Sequence, residues 1–366
     1  MSESRLHKLS ELGQSVWIDF LSREMIQTGG LERLMRDDAV VGVTSNPTIF
    51  QKAISQGDLY DEQIRVLMEE LDDPKEIFWR LAETDVGNAC DVLRSVWDAT
   101  GGKDGYVSIE VDPNLAGDTH ATIAEARRLH EQIDKPNLFV KIPATKAGLP
   151  AIEEMIASGK NINVTLTFSL ERYSEVAEAY VRGLERLVES GGDPSKVASV
   201  ASFFVSRVDT ETDKRLDDIG GHEELKGKLA VANAKLAYQR YKQIFSGSRW
   251  DALAGATTQR CLWASTSTKN PAYSDVLYVD ELIGPETVNT MPDETIQAFQ
   301  DHGEVALTLE QGIDEAKRLF DRLAEVGIDY DDVTRVLEEE GVQKFSDSFA
   351  ELLDGIRSKR GELVNA

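Results

Sequence analysis

Eight short apolar runs, each followed by a segment with helical spacing, constrain the fold of this chain more than any other feature of its sequence. The runs predict strands near residues 15–20, 39–45, 106–112, 137–144, 161–168, 197–205, 261–266 and 287–291. Strands that alternate with helices form parallel sheets, and eight such units without a dinucleotide-binding Gly-x-Gly-x-x-Gly motif favour a closed barrel over an open sheet. The predicted fold class is therefore α/β, a single (β/α)8 TIM barrel.

Helices are predicted between these strands from the spacing of apolar residues and from Pro and Gly at their ends. One helix is expected to begin at Leu21, another at Pro47, and a long one runs from the cap Ser169 to Val188. Further helices are predicted at 59–71, 75–85, 86–99, 119–134, 148–158, 207–218 and 223–245. Residues 309–358 add an amphipathic C-terminal helical tail. No linker-like or repeated segment divides the chain, so residues 1–366 are expected to form a single domain.

The charge balance excludes several classes of partner. Acidic residues number 65 against 40 basic ones, for a net charge of −25, which argues against nucleic-acid and anionic-membrane partners.

The two cysteines, Cys90 and Cys261, suggest no disulfide framework. The N-terminus has no apolar signal core, and no stretch approaches the ~20 apolar residues of a membrane span. A cytoplasmic location is expected. The five histidines show no ligand spacing, so no metal is expected.

One lysine lies where a strand core is predicted. Lys141 falls in the run Asn137-Leu-Phe-Val-Lys-Ile-Pro-Ala144, and a lysine in a strand buried on both faces is either desolvated or paired. Burial disfavours the charged form of lysine by up to about 3–5 pKa units, and only the neutral amine attacks a carbonyl. These are the properties of a Schiff-base lysine. The alternative is a strand-end lysine that snorkels or pairs with a carboxylate.

Other polar residues recur at the ends of the predicted strands, where barrels of this class build their active sites. They lie in the second half of a strand or just beyond it, and they are Asp19, Asn46, Glu110, Lys141, Asn163, Thr165, Ser202 and Ser265. This regular recurrence predicts that their side chains converge on one site.

Each of these residues also has an ordinary structural explanation when it is taken alone. Asn46 precedes Pro47 and suits a helix N-cap, and Asp19 could cap the first helix. Glu110 could be the structural partner of Lys141. Thr165 could be a strand filler, Ser202 a small core residue and Arg207 a solvated helix residue.

Two longer segments resemble the signature segments of transaldolases. They are Gly42-Val-Thr-Ser-Asn-Pro-Thr-Ile-Phe50 and Leu138-Phe-Val-Lys-Ile-Pro-Ala-Thr-Lys-Ala-Gly-Leu149. The resemblance continues through residues 108–112, 163–169, 202–207 and 287–292, and the segment 263–273 is similar to the long, actinobacterial-type branch of the family.

This resemblance implies an enzyme, a class I aldolase that acts as a transferase in the non-oxidative pentose phosphate pathway. The implied reaction moves a dihydroxyacetone unit from sedoheptulose 7-phosphate or fructose 6-phosphate to glyceraldehyde 3-phosphate or erythrose 4-phosphate, through a lysine Schiff base. It implies sugar phosphates as partners and neither a metal nor an organic cofactor. Whether the enzyme is a monomer or a homodimer is left open.

The resemblance also implies roles for individual residues. Lys141 would carry the Schiff base, Glu110 and Thr165 would position a water for proton transfers, and Asp19 would act as acid and base on the C4 hydroxyl. The residues implied to bind the substrate's hydroxyl-bearing part are Asn46, Asn163, Ser202 and Phe204. Those implied to bind its phosphate are Arg207, Ser265 and Lys269.

Two alternatives stay open at this stage. Fructose-6-phosphate aldolases of the same superfamily are shorter and carry glutamine where this chain has Glu110 and tyrosine where it has Phe204, so both residues favour transfer. A non-catalytic sugar-phosphate-binding barrel would be expected to lack a catalytic residue.

One position departs from the family, since many transaldolases have an arginine in the strand-seven loop where this chain offers Lys269. A lysine ammonium supplies a point charge, whereas an arginine guanidinium can bind a phosphate through two hydrogen bonds at once.

Overall fold

The computed structural model describes residues 4–55 and 57–364. At its centre is a closed barrel in which eight parallel strands follow one another in chain order. The strands are β1 Gln14–Ile18, β2 Val40–Val43, β3 Tyr106–Glu110, β4 Leu138–Pro143, β5 Ile162–Thr167, β6 Ser199–Phe204, β7 Arg260–Ala264 and β8 Thr287–Met291. The predicted (β/α)8 barrel and all eight of its strands are confirmed. The prediction of one domain over 1–366 includes residues 1–3, 56 and 365–366, which lie outside the described part of the chain.

Helices connect the strands and extend beyond the last one. Those preceding β3 are α1 Arg5–Glu11, α2 Arg23–Gln27, α3 Gly30–Asp37, α4 Pro47–Ser55, α5 Asp61–Met68 and α6 Pro74–Ala99. Those between β3 and β8 are α7 Thr119–Ile133, α8 Gly148–Ala157, α9 Leu170–Glu189, α10 Ser206–Ile219, α11 Leu229–Ile244, α12 Ser248–Asp251 and α13 Leu277–Asp280. After β8 come α14 Asp293–His302, α15 Ile313–Glu325 and α16 Tyr330–Val364.

The structure corrects three predicted boundaries. The helices predicted at 75–85 and 86–99 are one helix, α6, because its buried face continues from Ile77 to Leu93 with no proline between them. The helix predicted at 223–245 begins only at Leu229. A short 3-10 turn, Glu223–Leu225, precedes it, and Gly227 has a φ of 67°, a left-handed conformation that a right-handed helix does not contain. The helix predicted to begin at Leu21 is α2, which begins at Arg23 with Ser22 as its N-cap.

The parallel register aligns the chemistry at the C-terminal ends of the strands. Glu110 at the end of β3 pairs with Lys141 of β4, and Lys141 pairs with Asn163 of β5. Residues that pair in register lie side by side on the same face of a sheet. At the N-terminal ends of the strands, Arg260 and Asp104 form a buried ion pair, in which Arg260 Nη2 lies 3.0 Å from Asp104 Oδ1.

The C-terminal tail lies across the barrel end that holds these residues. Helix α16 packs on α4, where the Thr48 hydroxyl donates to Ser348 Oγ at 2.8 Å. Phe345 is buried at this contact. Farther along, Lys359 Nζ lies 2.5 Å from a carboxylate oxygen of Asp61. The predicted tail is confirmed, as two helices that end at Val364.

Candidate active site

A cavity of about 320 Å³ opens at the C-terminal ends of the strands. Nine of the eleven predicted site residues line it, namely Asp19, Asn46, Lys141, Thr165, Ser202, Phe204, Arg207, Ser265 and Lys269. The other two, Glu110 and Asn163, contact its floor, because Glu110 lies beside Lys141 and Asn163 is hydrogen bonded to Ser202. The structure therefore brings all eleven residues together.

Lys141 lies at the floor of this cavity with only 5% of its surface exposed. Its Nζ donates a hydrogen bond to the Ser45 carbonyl oxygen at 3.1 Å and lies 3.5 Å from Glu110 Oε2. The predicted burial is confirmed, and so is the alternative of carboxylate pairing. A long contact of this kind holds the amine without enclosing it in a tight ion pair, and the amine also borders the cavity.

Two buried oxygens beside Lys141 have spare hydrogen-bonding capacity. Within residues 4–55 and 57–364, neither Glu110 Oε2 nor Thr165 Oγ1 makes a hydrogen bond to the protein. Burial raises the pKa of Glu110 to about 6, although the Lys141 ammonium opposes that rise. Buried polar atoms normally have hydrogen-bond partners, so these two oxygens are suited to bind a water molecule or a polar group of a ligand.

Asp19 enters the cavity from the residue after β1. Its Oδ1 accepts a hydrogen bond of 2.6 Å from the Thr44 hydroxyl, which also lies 2.7 Å from the hydroxyl of Thr290. Burial raises the pKa of the Asp19 carboxyl, and the Lys141 ammonium is the largest influence in the opposite direction. The suggestion that Asp19 caps the helix after β1 is wrong, because Ser22 caps that helix, α2.

Amide and hydroxyl groups surround the lysine on its other sides. Asn163 accepts a 2.7 Å hydrogen bond from Ser202 and donates one of 3.1 Å to Ser108 Oγ, and all three are buried. Asn46 Oδ1 accepts from the Ile49 backbone N–H at 3.0 Å. Asn46 is thus the N-cap that its position before Pro47 suggested, and it still borders the cavity.

Positive charge enters the cavity from α10 and from the segment after β7. The Arg207 guanidinium lies 5.1 Å from the centre of the Phe204 ring, and its buried Nη1 has no hydrogen-bond partner in the described residues. Arg207 is therefore not a solvated helix residue. Lys269 is exposed, and its Nζ donates to Ser267 Oγ at 2.6 Å. Ser265 adopts a φ of 56°, which turns the chain away from β7.

Sequence reasoning missed several residues that line the cavity. They are Thr44, Thr48, Ile49, Lys52, Ala264, Ser267, Thr290, Pro292, Glu294 and Phe345. Thr44 and Thr290 follow the same strand-end pattern as the predicted residues and could have been found from it. Phe345 could not be found in this way, because it belongs to α16 and does not follow a strand in the sequence.

No group of three or more His, Cys, Asp or Glu side chains among residues 4–55 and 57–364 is placed to hold a metal ion. Within the same residues, no helix has the length and apolar content needed to cross a membrane.

Comparison with known proteins gives one family. The family model described as transaldolase/fructose-6-phosphate aldolase matches residues 16–356. A protein of Frankia alni named transaldolase is 54% identical over 361 residues, which are 97% of each chain. One of Acidothermus cellulolyticus with the same name is 55% identical over 367 residues, covering 97% of this chain and 99% of the relative. Transaldolase 2 of Streptomyces coelicolor is 54% identical over 364 residues and 98% of both chains.

Proposed function

The chain belongs to the transaldolase/fructose-6-phosphate aldolase family, and from that membership we propose how the residues of its cavity carry out the family's reaction. The enzyme is a transferase with transaldolase activity, which transfers a dihydroxyacetone unit between sugar phosphates through a lysine Schiff base. The observation that carries the proposal is the position of Lys141, a buried amine at the floor of a polar cavity.

We infer that Lys141 is the nucleophile. Its neutral Nζ attacks the C2 carbonyl of the ketose phosphate, the resulting carbinolamine takes up a proton on its hydroxyl and loses water, and an iminium ion remains. The 3.5 Å contact with Glu110 Oε2 supports this role, because the carboxylate stabilises the cation that the iminium retains. The low exposure of the lysine protects the iminium from bulk water.

Glu110 and Thr165 serve the proton transfers of this step. Forming the iminium moves one proton from nitrogen to oxygen and brings a second proton to the departing hydroxyl, and hydrolysis reverses both transfers. Both Glu110 Oε2 and Thr165 Oγ1 can hydrogen-bond a water next to Lys141, and a carboxyl with a pKa of about 6 exchanges protons readily near neutral pH.

Asp19 serves carbon–carbon cleavage. Its carboxylate removes the proton of the C4 hydroxyl, the C3–C4 bond breaks, and its electrons move to the iminium to give an enamine. The aldose phosphate then leaves. When a second aldose phosphate binds, the enamine carbon attacks its aldehyde and Asp19 returns the proton. The Thr44 hydroxyl fixes the orientation of the carboxylate.

The remaining cavity residues fit the two ends of the substrate. Asn46, Asn163 and Ser202 supply amide and hydroxyl groups for the dihydroxyacetone hydroxyls, and Phe204 forms an apolar wall. Arg207, Ser265 and Lys269 supply donors and positive charge for the phosphate. Local charges dominate there, since ionic screening limits the influence of the net charge of −25 to roughly 8 Å at physiological salt.

Transfer is distinguished from simple aldol cleavage by the requirement for an acceptor. We expect fructose 6-phosphate to be consumed at a substantial rate only when erythrose 4-phosphate is present, with little free dihydroxyacetone released. Rapid release of dihydroxyacetone without an acceptor would favour the fructose-6-phosphate aldolase reaction. No consumption in either assay would favour a non-catalytic sugar-phosphate-binding protein.

Replacement of Arg207 by alanine should weaken the use of phosphorylated ketoses. Loss of a desolvated charge partner typically costs ~2–5 kcal/mol, so kcat/KM for fructose 6-phosphate should fall on the order of 10²-fold. Activity with unphosphorylated fructose should change far less. Arg215→Ala is the matched control, since Arg215 lies on the same helix but pairs with Glu211 outside the cavity. An equal loss with both sugars would mean that Arg207 supports the scaffold only.

Replacement of Glu110 by glutamine should change the pH dependence of turnover. Because the raised pKa of about 6 leaves Glu110 protonated below that pH, wild-type kcat should decline as the pH falls through 6. Glutamine does not titrate, so that part of the acid limb should disappear while kcat drops about 10²-fold.

Glu338→Gln is the control for this experiment. It removes another partly buried carboxyl with a raised pKa, paired with Arg172 away from the cavity. An acid limb that persists unchanged in Glu110→Gln and keeps its midpoint near pH 6 would remove Glu110 from the proton transfers.

We also propose that the enzyme works in the cytoplasm. Both of its cysteines, Cys90 and Cys261, are buried and free, which suits a reducing compartment.

A further inference from the structure

Two tyrosines beyond β7 are hydrogen bonded to two carboxylates of α10. Tyr273 donates its phenolic hydrogen to Asp213 Oδ2 at 2.6 Å, and Tyr278 donates to Asp209 Oδ2 at 2.9 Å. Asp209 and Asp213 are four residues apart, so they lie on one face of the helix. The segment after β7 is therefore attached to α10 at two successive turns.

Each carboxylate also binds a backbone N–H at or just before the start of α11. Asp209 Oδ1 accepts from the Ala230 backbone N–H at 2.7 Å, and Asp213 Oδ1 accepts from that of Gly227 at 2.9 Å. Hydrogen bonds to a carboxylate are roughly twice as strong as those between neutral groups. The two aspartates thus join three separate parts of the chain.

Gly227 provides the space that Tyr273 occupies. Its φ is 67°, and a Cβ built on it would lie 2.6 Å from the Tyr273 ring. Real Cβ atoms do not approach other atoms so closely, so the ring lies directly on the glycine. Tyr273 is therefore fixed at its hydroxyl by Asp213 and at its ring by Gly227.

Tyr273 belongs to the β7–α13 loop, residues 265–276. This loop also carries Ser265 and Lys269, two of the residues proposed to bind phosphate. It begins with Ser265, whose Oγ lies 2.9 Å from Ser206 Oγ and whose carbonyl accepts from the Ser206 backbone N–H at 3.1 Å. Ser206 begins α10 and precedes Arg207. The loop is thus joined to the first turn of α10 at its start and to later turns of that helix near its end.

Lys269 depends on this loop for its position. It is exposed, and the one hydrogen bond of its ammonium that the structure records goes to Ser267 in the same loop. A lysine has a flexible stem and supplies no rigid fork. Its distance from Arg207 is therefore set by how the β7–α13 loop is held on α10.

We propose that Tyr273, held by Asp213 and Gly227, is a positioning residue that places Lys269 opposite Arg207 and so adapts this part of the cavity to a phosphate group. This inference rests on the proposed function, in which Arg207 and Lys269 bind the substrate phosphate. It adds a residue that touches no substrate and acts only through the loop.

The test measures phosphate binding separately from turnover in Tyr273→Phe, which removes only the hydroxyl. KM for fructose 6-phosphate and the inhibition constant for inorganic phosphate should both rise about tenfold, as expected for loss of one charge-assisted hydrogen bond, while kcat stays within about twofold. kcat/KM for unphosphorylated fructose should not change. In a Lys269→Ala background, Tyr273→Phe should have no further effect.

Two other variants separate positioning from general loss of structure. Tyr241→Phe removes a tyrosine hydrogen bond of similar length, 2.8 Å to Thr258 Oγ1, beside the N-terminal end of β7, and should leave both constants unchanged. Gly227→Ala displaces the Tyr273 ring by a different route and should raise the same two constants as Tyr273→Phe.

Three outcomes would overturn the inference. The first is an unchanged phosphate inhibition constant in Tyr273→Phe. The second is an equal loss with phosphorylated and unphosphorylated sugars, and the third is an effect that persists in full without Lys269. If Arg207→Ala and Lys269→Ala themselves leave phosphate binding intact, the phosphate assignment in the proposed function fails as well. If they weaken it and Tyr273→Phe does not, only the positioning role is wrong.

Discussion

Lys141→Arg should form no borohydride-reducible imine with fructose 6-phosphate, and its turnover should fall at least roughly 10⁴-fold, as is typical when the nucleophile of a covalent mechanism is removed. Arginine keeps a positive charge beside Glu110, so the buried carboxylate retains a partner at its 3.5 Å contact. A guanidinium stays protonated at any ordinary pH and does not attack a carbonyl. The variant therefore removes the nucleophile while preserving the charge balance of the cavity floor.

The measurement is reduction with borohydride in the presence of fructose 6-phosphate, followed by peptide mass mapping. In the wild type, the adduct should lie on the peptide that contains Lys141. Lys146→Arg is the matched control, because Lys146 belongs to the same signature segment but is exposed and does not line the cavity. An adduct on Lys146 or another lysine, or full turnover in Lys141→Arg, would disprove the assignment.

Asp19→Ala should lose carbon–carbon cleavage while keeping imine formation. A general acid–base group typically contributes ~10²–10⁴-fold. Asp19 is the carboxyl that the Thr44 hydroxyl orients at 2.6 Å, so turnover should fall by about 10³-fold. Borohydride should still trap the ketose on Lys141, because the proposed mechanism forms the imine with Glu110 and Thr165.

Thr44→Val tests the same step by a milder change. Without its hydroxyl, the Asp19 carboxylate keeps its charge and loses its orientation, so cleavage should slow by less than in Asp19→Ala. Single-turnover experiments that follow imine formation and release of the aldose phosphate separately would detect the difference. If Asp19→Ala blocks trapping on Lys141 and cleavage equally, the division of labour between Asp19 and Glu110 is wrong.

The barrel and most of its candidate site could be predicted because both depend on local patterns. Continuous apolar runs identify buried parallel strands, and the topology of a closed barrel places the C-terminal ends of all its strands together. That rule alone brings Asp19, Glu110 and Lys141 into one cavity from distant parts of the sequence. The family resemblance then implied their separate roles.

The parts that could not be predicted depend on contacts between distant segments. The sequence around Phe345 shows an amphipathic helix, but nothing in it indicates that this helix covers the barrel end rather than its side. Thr44 follows a strand end, as the predicted residues do, but its hydrogen bond to Asp19 appears only in three dimensions. The sequence pattern places Gly227 inside a helix, and both its left-handed conformation and its contact with the Tyr273 ring appear only in three dimensions.

The position of Phe345 also has a consequence for how the molecule is made. The ribosome finishes the last strand at Met291 and must then add α14, α15 and the first half of α16 before this wall of the cavity exists. At roughly 5–20 residues per second, that interval lasts several seconds. During it, the nascent chain already contains every strand of the barrel and the amine of Lys141, without the helix that later covers them. This wall of the cavity is therefore completed only after every strand of the barrel has been synthesised.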